Sequence, residues 1–414
     1  GQEGEYMKKN FGKQMKRCMS IALATALVIC TPAADTFAQS GIISGMVQKA
    51  RAASGTINDS QKLNSDVIAD ATLLTYLRGL TGKGDAATVK DLMETDTTAI
   101  VVPEGVTDLK GLGYARGMVS LDLSNCVATE IRDSEFNGCS KLTDVQMTSK
   151  ITKLGTQAFN NCSSLQNIDL SSVNTYGDSV FAGCSKLNDG SVATMKDSVA
   201  EMGSGVFSGC KSITEATVPV ISGVNKNRVP ARMFNNCEKL ENVFFCDNSI
   251  QSILDQAFSE TGKLTFGADK SNKLPSTISS IGASAFEGSQ IASIDLSSTK
   301  VTKLNERTFC KAMLYDKSED GSEVASGIVL PTKLEEIGKE AFEESHLQSI
   351  TMPNTVTTLG TGVFKFAGNL LNVTLSTNIT EIPAESFQWA GTQKFSVDEG
   401  QDFSNWQDWE DFLN

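Results

Sequence analysis

Eleven phenylalanines punctuate this chain at a near-regular interval: Phe136, Phe159, Phe181, Phe207, Phe234, Phe258, Phe286, Phe309, Phe342, Phe364 and Phe387. Their successive gaps all lie between 22 and 28 residues except one of 33. The same pattern surrounds each of them. It is seen in full at Ala158-Phe159-Asn160-Asn161-Cys162-Ser163-Ser164-Leu165-Gln166-Asn167-Ile168-Asp169-Leu170. A small residue precedes the phenylalanine, a cysteine or other small residue follows three places on, an aliphatic six places on, and then an alternating apolar run. Self-similarity at this period is the mark of stacked coils, because one such unit cannot bury its apolar face alone. An array of this kind grows in one dimension, so the 414 residues do not have to divide into ordinary domains.

Within a coil, the last apolar positions alternate with polar ones, the strand period of two. Leu165/Ile168/Leu170 set the frame, and Leu142/Val145/Met147, Ile213/Ala216/Val218, Leu240/Val243/Phe245, Ile291/Ile294/Leu296, Leu347/Ile350/Met352 and Leu370/Val373/Leu375 repeat it. Stacking puts these strands in one parallel sheet, on the order of 50–60 Å long for about a dozen coils. A second apolar pair precedes each phenylalanine, as in Ile151/Leu154 and Val356/Leu359. Glycine often follows it, at Gly155, Gly177, Gly203, Gly282, Gly338 and Gly360, with Asp255 and Asn305 standing there in other repeats. All three residue types tolerate positive φ, so a left-handed turn is expected at this place. The phenylalanine is expected to fill the middle of the coil, where its burial stabilises by about 2–3 kcal/mol.

Charge narrows the partners. The formal net charge is −13, and since residues 1–38 hold five basic and three acidic side chains, the remainder carries −15. Such a surface disfavours nucleic acid and anionic bilayers. Residues 1–38 read as a leader and secretory signal peptide. A cationic stretch, Met7-Lys8-Lys9 to Lys16-Arg17, precedes an apolar run from Cys18 to Cys30 that is too short to span a membrane, and cleavage is expected after Ala38. Processing at Cys30 as a lipoprotein is the rival, opposed by the bulky Ile29. Residues 1–6 are expected to be translated leader ahead of Met7. No membrane insertion is expected after signal cleavage.

Residues 39–64 are polar and are expected to form a flexible linker. Residues 65–98 are expected to form a helical N-terminal cap. There Val67, Ala71, Leu74, Leu77 and Leu80 recur at helical spacing, with Ser65 as a start signal and Gly82 as a stop, and a second short helix follows at 86–93. The array proper occupies 99–397. In its first part, Leu121-Asp122-Leu123-Ser124-Asn125-Cys126 resembles an internalin-type leucine-rich repeat with its helical cap. Farther on, Ile337-Gly338-Lys339-Glu340-Ala341-Phe342 followed by Leu347-Gln348-Ser349-Ile350-Thr351-Met352-Pro353 resembles the BspA-like leucine-rich repeat family of bacterial surface proteins. The resemblance runs over about residues 119–397. It implies a β-dominated α/β-type leucine-rich-repeat solenoid with a parallel sheet on its concave face. It also implies a secreted or cell-surface, non-enzymatic protein acting in adhesion, with an extracellular protein or glycan as ligand. The Phe258 and Phe309 repeats depart from the pattern, and a long insertion follows Phe309.

The candidate chemistry is sparse. Cys139, Cys162, Cys184, Cys210 and Cys237 share one repeat position with Thr261, Ser289, Ser345, Ala367 and Ala390. A site that takes Cys, Ser, Thr and Ala selects a small buried residue, so buried thiols are expected there, with disulfides between coils as the alternative. Residues 316–323, Asp-Lys-Ser-Glu-Asp-Gly-Ser-Glu, open like a calcium loop, but Gly327 stands where a closing glutamate is needed, and a solvated acidic insertion is the preferred reading. His346, the single histidine, and Cys310 lie in different coils. No catalytic, cofactor or metal residue is assigned. The binding residues are expected among the outward side chains of the sheet: Asp122, Gln146, Asp169, Ser191, Thr217, Phe244, Asp295, Val329, Thr351, Thr374 and Ser396, with Asn167, Asp189, Glu215, Glu241 and Asn242 beside them. Phe244 is the candidate aromatic anchor. Phe403, Trp406, Trp409 and Phe412 repeat every three residues, and residues 398–414 are expected to cap the last coil with a short helix. Two alternatives to an adhesion protein remain: the binding or spacer part of a larger exported enzyme, and a structural cell-envelope component. The sequence does not specify an oligomeric state.

Overall fold

The computed structural model describes residues 58–315, 327–392, 394–397 and 401–403. Residues 58–61 make a turn by themselves, closed by the Gln61 N–H donating to the Asn58 carbonyl at 2.7 Å. The expected signal peptide, the calcium-like insertion and residues 404–414 lie outside the described residues.

From Lys62 onward the chain first forms two short helices, α1 (Ala71–Thr81) and α2 (Val89–Glu94). Helix α1 starts later than the apolar spacing predicts. Asn64 instead accepts from the N–H groups of Asp66 and Val67, and this turn buries Val67 and Ile68. Asp70 is the true cap: one carboxylate oxygen accepts from Thr72 and Leu73, and the other from the N–H and hydroxyl of Thr107. Gly82 ends the helix at φ 69, as expected. Thr88 and Asp91 form a capping box on α2. The Tyr76 hydroxyl of α1 accepts the N–H of Val101 in the first strand of the array.

The array is a parallel β-solenoid. Its main sheet face is laid down in segments. Strands Ala99–Val101, Ser120–Asp122, Asp144–Gln146 and Asn167–Ile168 pair in that order, then Glu215–Val218, Asn242–Phe245 and Thr265–Phe266. Ser293–Asp295 pairs with Gly327–Val329, and Ser349–Thr351, Asn372–Leu375 and Lys394–Val397 complete the face. A last strand, Gln401–Phe403, adds antiparallel to Lys394–Val397. This puts Phe403 in a strand, where the spacing predicts helix. The rest of the expected helix lies outside the described residues. The opposite face carries two-residue strands in a ladder of four (residues 130–202) and a ladder of six (residues 228–359).

The core is a stack of rings. Each phenylalanine from Phe136 to Phe364 is fully buried, and consecutive rings from Phe136 to Phe387 lie 5.1–5.9 Å apart, within 18° of parallel. The alignment has a backbone cause. In every one of the eleven coils the residues two before and two after the phenylalanine have positive φ, as at Gln157 (58°) and Asn161 (58°) around Phe159. This alternation points the N–H groups of those residues and of the phenylalanine at the following coil. Gln157, Phe159 and Asn161 donate to the carbonyls of Asp178, Val180 and Ala182 at 2.8, 2.9 and 2.7 Å.

The expected left-handed glycines are a correction. Gly155, Gly177, Gly203, Gly282, Gly338 and Gly360 all lack positive φ. Their constraint is proximity: a Cβ on Gly155 would stand 2.5 Å from the Asp133 backbone nitrogen of the preceding coil, and one on Gly203 2.6 Å from that of Asp178. Those aspartates hold the coils together there, Asp133 accepting from Thr156 N–H and Asp178 from Ser204 N–H.

The cysteine column is built of buried free thiols. Cys162, Cys184, Cys210 and Cys237 reach the carbonyls of Phe136, Phe159, Phe181 and Phe207 in the preceding coil, at 3.1, 3.1, 3.3 and 3.2 Å. Burial raises all four thiol pKa values, that of Cys237 to about 12.

Candidate ligand-binding face

The outward side chains do not form one unbroken column. Asp122 sits beside Gln146 in register, Thr217 beside Phe244, Asp295 beside Val329, and Thr351 beside Thr374 and Ser396. Between the first and second groups the strand is replaced by a helical turn, α3 (Asp189–Ala193). Ser191, expected to point outward, is buried there. Its hydroxyl accepts the Ile168 N–H and donates to the Gln166 carbonyl, so a side chain stands in for the missing strand. Asp189 does the same on the other side, accepting from Thr214 and Glu215 N–H. Asn242, also expected outward, is buried, and its side-chain oxygen accepts the Thr265 hydroxyl.

Several candidate residues have structural partners. Asp122, Asp169 and Asp295 each accept the N–H two residues on, from Ser124, Ser171 and Ser297, at 2.8, 2.9 and 2.8 Å. The recurrent Asp-Leu-Ser tripeptide in the sequence is the signal for this turn. Asn167 donates to Asp144 at 2.5 Å and accepts from Asn188 at 3.0 Å, a side-chain ladder across three coils. The Thr143 hydroxyl and the Asn167 amide hold the Asp144 carboxyl below the usual carboxylate range. The Thr374 and Ser396 hydroxyls are 3.0 Å apart. Gln146 and Thr351 are exposed, and Glu241 is exposed just before its strand.

Phe244 is half-buried, flanked in register by Thr217. On its other side, Val243 pairs with Phe266, so the next place belongs to Gly267, which has no side chain and a φ of 77°. A Cβ there would lie 3.2 Å from an Asp269 carboxylate oxygen. The phenyl ring therefore borders a side-chain-free step with a carboxylate at its margin. Neighbouring Phe245 points the other way, its ring 5.9 Å from that of Phe266.

His346 and Cys310 have separate surroundings. His346 is exposed, its Nδ1 3.3 Å from the Asn369 amide. Cys310 is buried, which pushes its thiol up to about 12, and it lies 3.7 Å from a Glu343 carboxylate oxygen. Among the described residues there is no group of three or more His, Cys, Asp or Glu able to hold a metal ion.

With this geometry established, the profile of the BspA type leucine rich repeat region matches residues 114–227, 191–267, 227–317 and 320–404, in six copies. The chain belongs to the BspA type leucine-rich-repeat family. Among solved structures, this BspA type array is similar to a leucine rich cell surface protein from Faecalibacterium prausnitzii, at 17% identity over 70% of this chain and 89% of that one, TM-score 0.39. It is also similar to a leucine-rich repeat protein from Bacteroides ovatus, at 22% identity over 72% and 92%, TM-score 0.30. A third is the pneumococcal vaccine antigen PcpA, at 17% identity over 69% of each chain, TM-score 0.40. No curated protein matches the chain. The family places the protein among leucine-rich-repeat proteins of the bacterial surface type and indicates no catalytic class. The BspA type pattern itself consists of interior residues, the stacked phenylalanines and the thiol column. Among the described residues, no helix is long and apolar enough to cross a membrane.

Proposed function

We propose that this protein is exported to the cell surface and acts in adhesion, recognising an extracellular protein or glycan through its main sheet face. The observation that carries this reading is the Phe244 step. An aromatic ring stands half-exposed on a polar sheet, next to a position held open by Gly267. Half-buried aromatics with polar surroundings are the usual anchors of recognition surfaces. The outward carboxylate of Glu241 near it, and those of Asp122, Asp144 and Asp169 on the preceding segment of the face, suit a polar ligand. Asp269 at the margin of the step adds negative charge where a cationic group of a protein ligand would lie against the ring.

The test is direct binding of the purified full chain to immobilised matrix proteins and glycans. Saturable binding that weakens at least tenfold when Phe244→Ala, Glu241→Gln and Asp169→Asn are combined supports the reading, since each good anchor contributes on the order of 1–2 kcal/mol. Saturable binding left intact by the triple variant moves the ligand off this face. An absence of saturable binding favours a structural envelope role.

A further inference from the structure

In each of the six coils from Phe136 to Phe258, two residues link the small position after the phenylalanine to the aliphatic that opens the main face. Of these twelve linking residues five are lysines (Lys141, Lys186, Lys211, Lys239 and Lys263), five are serines, and one, Glu238, is acidic. In a chain of net charge −13 this edge is a local reversal of sign.

The edge is ordered from coil to coil. The Ser185 hydroxyl donates to the Ser163 carbonyl at 3.2 Å, and the Ser212 hydroxyl to the Ser185 carbonyl at 2.8 Å. The phenylalanine rings beneath it are 5.2–5.9 Å apart, so the lysines mark a track on the order of 25–30 Å long. Its charges are available. Lys141, Lys186 and Lys239 are exposed and have no ion-pair partner among the described residues, and Glu238 is matched with Lys211 at 2.6 Å. The lysines of the opposite ladder are used differently: Lys153 pairs with Glu130 and Lys303 with Glu336 across neighbouring coils, both at 2.9 Å. A row of like charges repels itself and is relieved by a polyanion lying along it. The adjoining row of the main face carries Asp144, Glu215 and Glu241, which repel a polyanion from the sheet and confine it to the edge. Single-stranded nucleic acid needs aromatic platforms for its bases, and none of the twelve linking residues is aromatic. Serine hydroxyls among ammonium groups suit sulfate and sugar oxygens instead.

We infer that the edge from Lys141 to Lys263 is a second binding site, independent of the sheet face, that holds a linear sulfated glycan along the stacking direction. Lysine supplies point charges rather than planar forks, so the site reads charge density more than the geometry of one sulfate.

The probe is heparin. The readout is acetylation of individual lysines in the full chain, mapped by peptide mass spectrometry in about 50 mM salt. Because each lysine is read separately, the cationic stretch from Met7 to Arg17 cannot imitate the result. Heparin should slow acetylation of Lys141, Lys186 and Lys239 several-fold and leave Lys150, Lys300 and Lys333, on the other turn edge, unchanged. Desulfated heparin should give no protection. In direct binding, K141Q/K186Q/K239Q should lose at least about tenfold in heparin affinity relative to K150Q/K300Q/K333Q, a variant of equal net charge. Equal protection of the two edges, or no protection of either, overturns the inference, as does equal affinity of the two variants. Stronger protection by single-stranded DNA than by heparin also overturns it, because the occupant is then a nucleic acid.

Discussion

Replacing Gly155 separates two explanations for the glycine that follows the second apolar pair. If a left-handed backbone were the reason, alanine would cost about 1 kcal/mol and asparagine, which tolerates that region, would recover most of it. The structure gives the other reason. A Cβ at Gly155 stands 2.5 Å from the Asp133 nitrogen and 2.7 Å from the Arg132 carbonyl carbon, both backbone atoms of the preceding coil. Relief requires the coils to separate, which also loosens the Thr156 N–H to Asp133 bond of 2.8 Å. Overpacking of this kind costs about 1–3 kcal/mol, and loosening that solvent-exposed hydrogen bond adds at most about 0.5 kcal/mol, so Gly155→Ala should destabilise by roughly 1–3 kcal/mol. Gly155→Asn should be at least as damaging. Gly205 is the control: it is left-handed at φ 64°, and its nearest obstacle is the flexible Ser179 hydroxyl at 3.3 Å, so Gly205→Asn should cost under about 1 kcal/mol. Urea unfolding followed by circular dichroism at constant m reads all three. An asparagine at 155 that is milder than alanine would refute the close-approach argument.

Two further perturbations test buried polar groups. One Glu135 carboxylate oxygen accepts from the N–H groups of Gly111 and Gly113, and burial together with nearby Asp108 lifts its pKa to about 7, against the opposing pull of those bonds and of Arg132. Because the folded pKa is raised, this group's stabilisation is complete below its unfolded value near 4.5 and is lost as pH climbs through about 7, up to about 3 kcal/mol. Melting curves from pH 4 to 8 should therefore fall more steeply for the native chain than for Glu135→Gln, and parallel curves would dismiss the effect. The Tyr176 hydroxyl is buried without a hydrogen-bond partner, so Tyr176→Phe should raise stability by about 1 kcal/mol in the same urea assay; a loss would mean that the hydroxyl is satisfied in solution.

The interior of the array is readable from the sequence because its cause is local and repeated. A ring every 22 to 33 residues can only stack, and a position that accepts Cys, Ser, Thr or Ala can only be small and enclosed. The left-handed pair around each phenylalanine is not readable, because Arg307, Glu340, Phe366 and Trp389 occupy it as well as glycine. The bonds to neighbouring coils impose that backbone, and they override what each residue prefers alone. The candidate binding face is only half legible. Asp-Leu-Ser was visible as a tripeptide, yet its aspartates serve turns as well as the surface. The interruption at α3 also had a trace: where the frame wants an aliphatic nine places after Phe181, the chain has Gly190, preceded by Asn188, whose side chain caps the turn by accepting from Ser191 N–H.

The breaks in the ladders explain how such an array carries variation on its surface without coming apart. At several places where the backbone ladder stops, a polar side chain continues it. Ser191 serves the Asn167–Ile168 strand, the Asn225 amide donates to the Met202 carbonyl at 2.7 Å, and Asn272 accepts the Phe266 N–H while donating to the Ser293 carbonyl, both at 2.8 Å. At the longest spacing, between Phe309 and Phe342, the splice is ionic. Arg307 pairs with Glu287 of the coil before and with Glu340 and Glu343 of the coil after, each at 2.7 Å. One guanidinium among three half-buried carboxylates contributes little net stability, but it fixes the register of the coils that flank the insertion. Two of these splices, at Ser191 and Asn272, bracket the strands that carry Thr217, Phe244 and Thr265. The candidate face is thus set off on each side by a place where the repeat is interrupted and mended, while the phenylalanine stack runs beneath it unbroken.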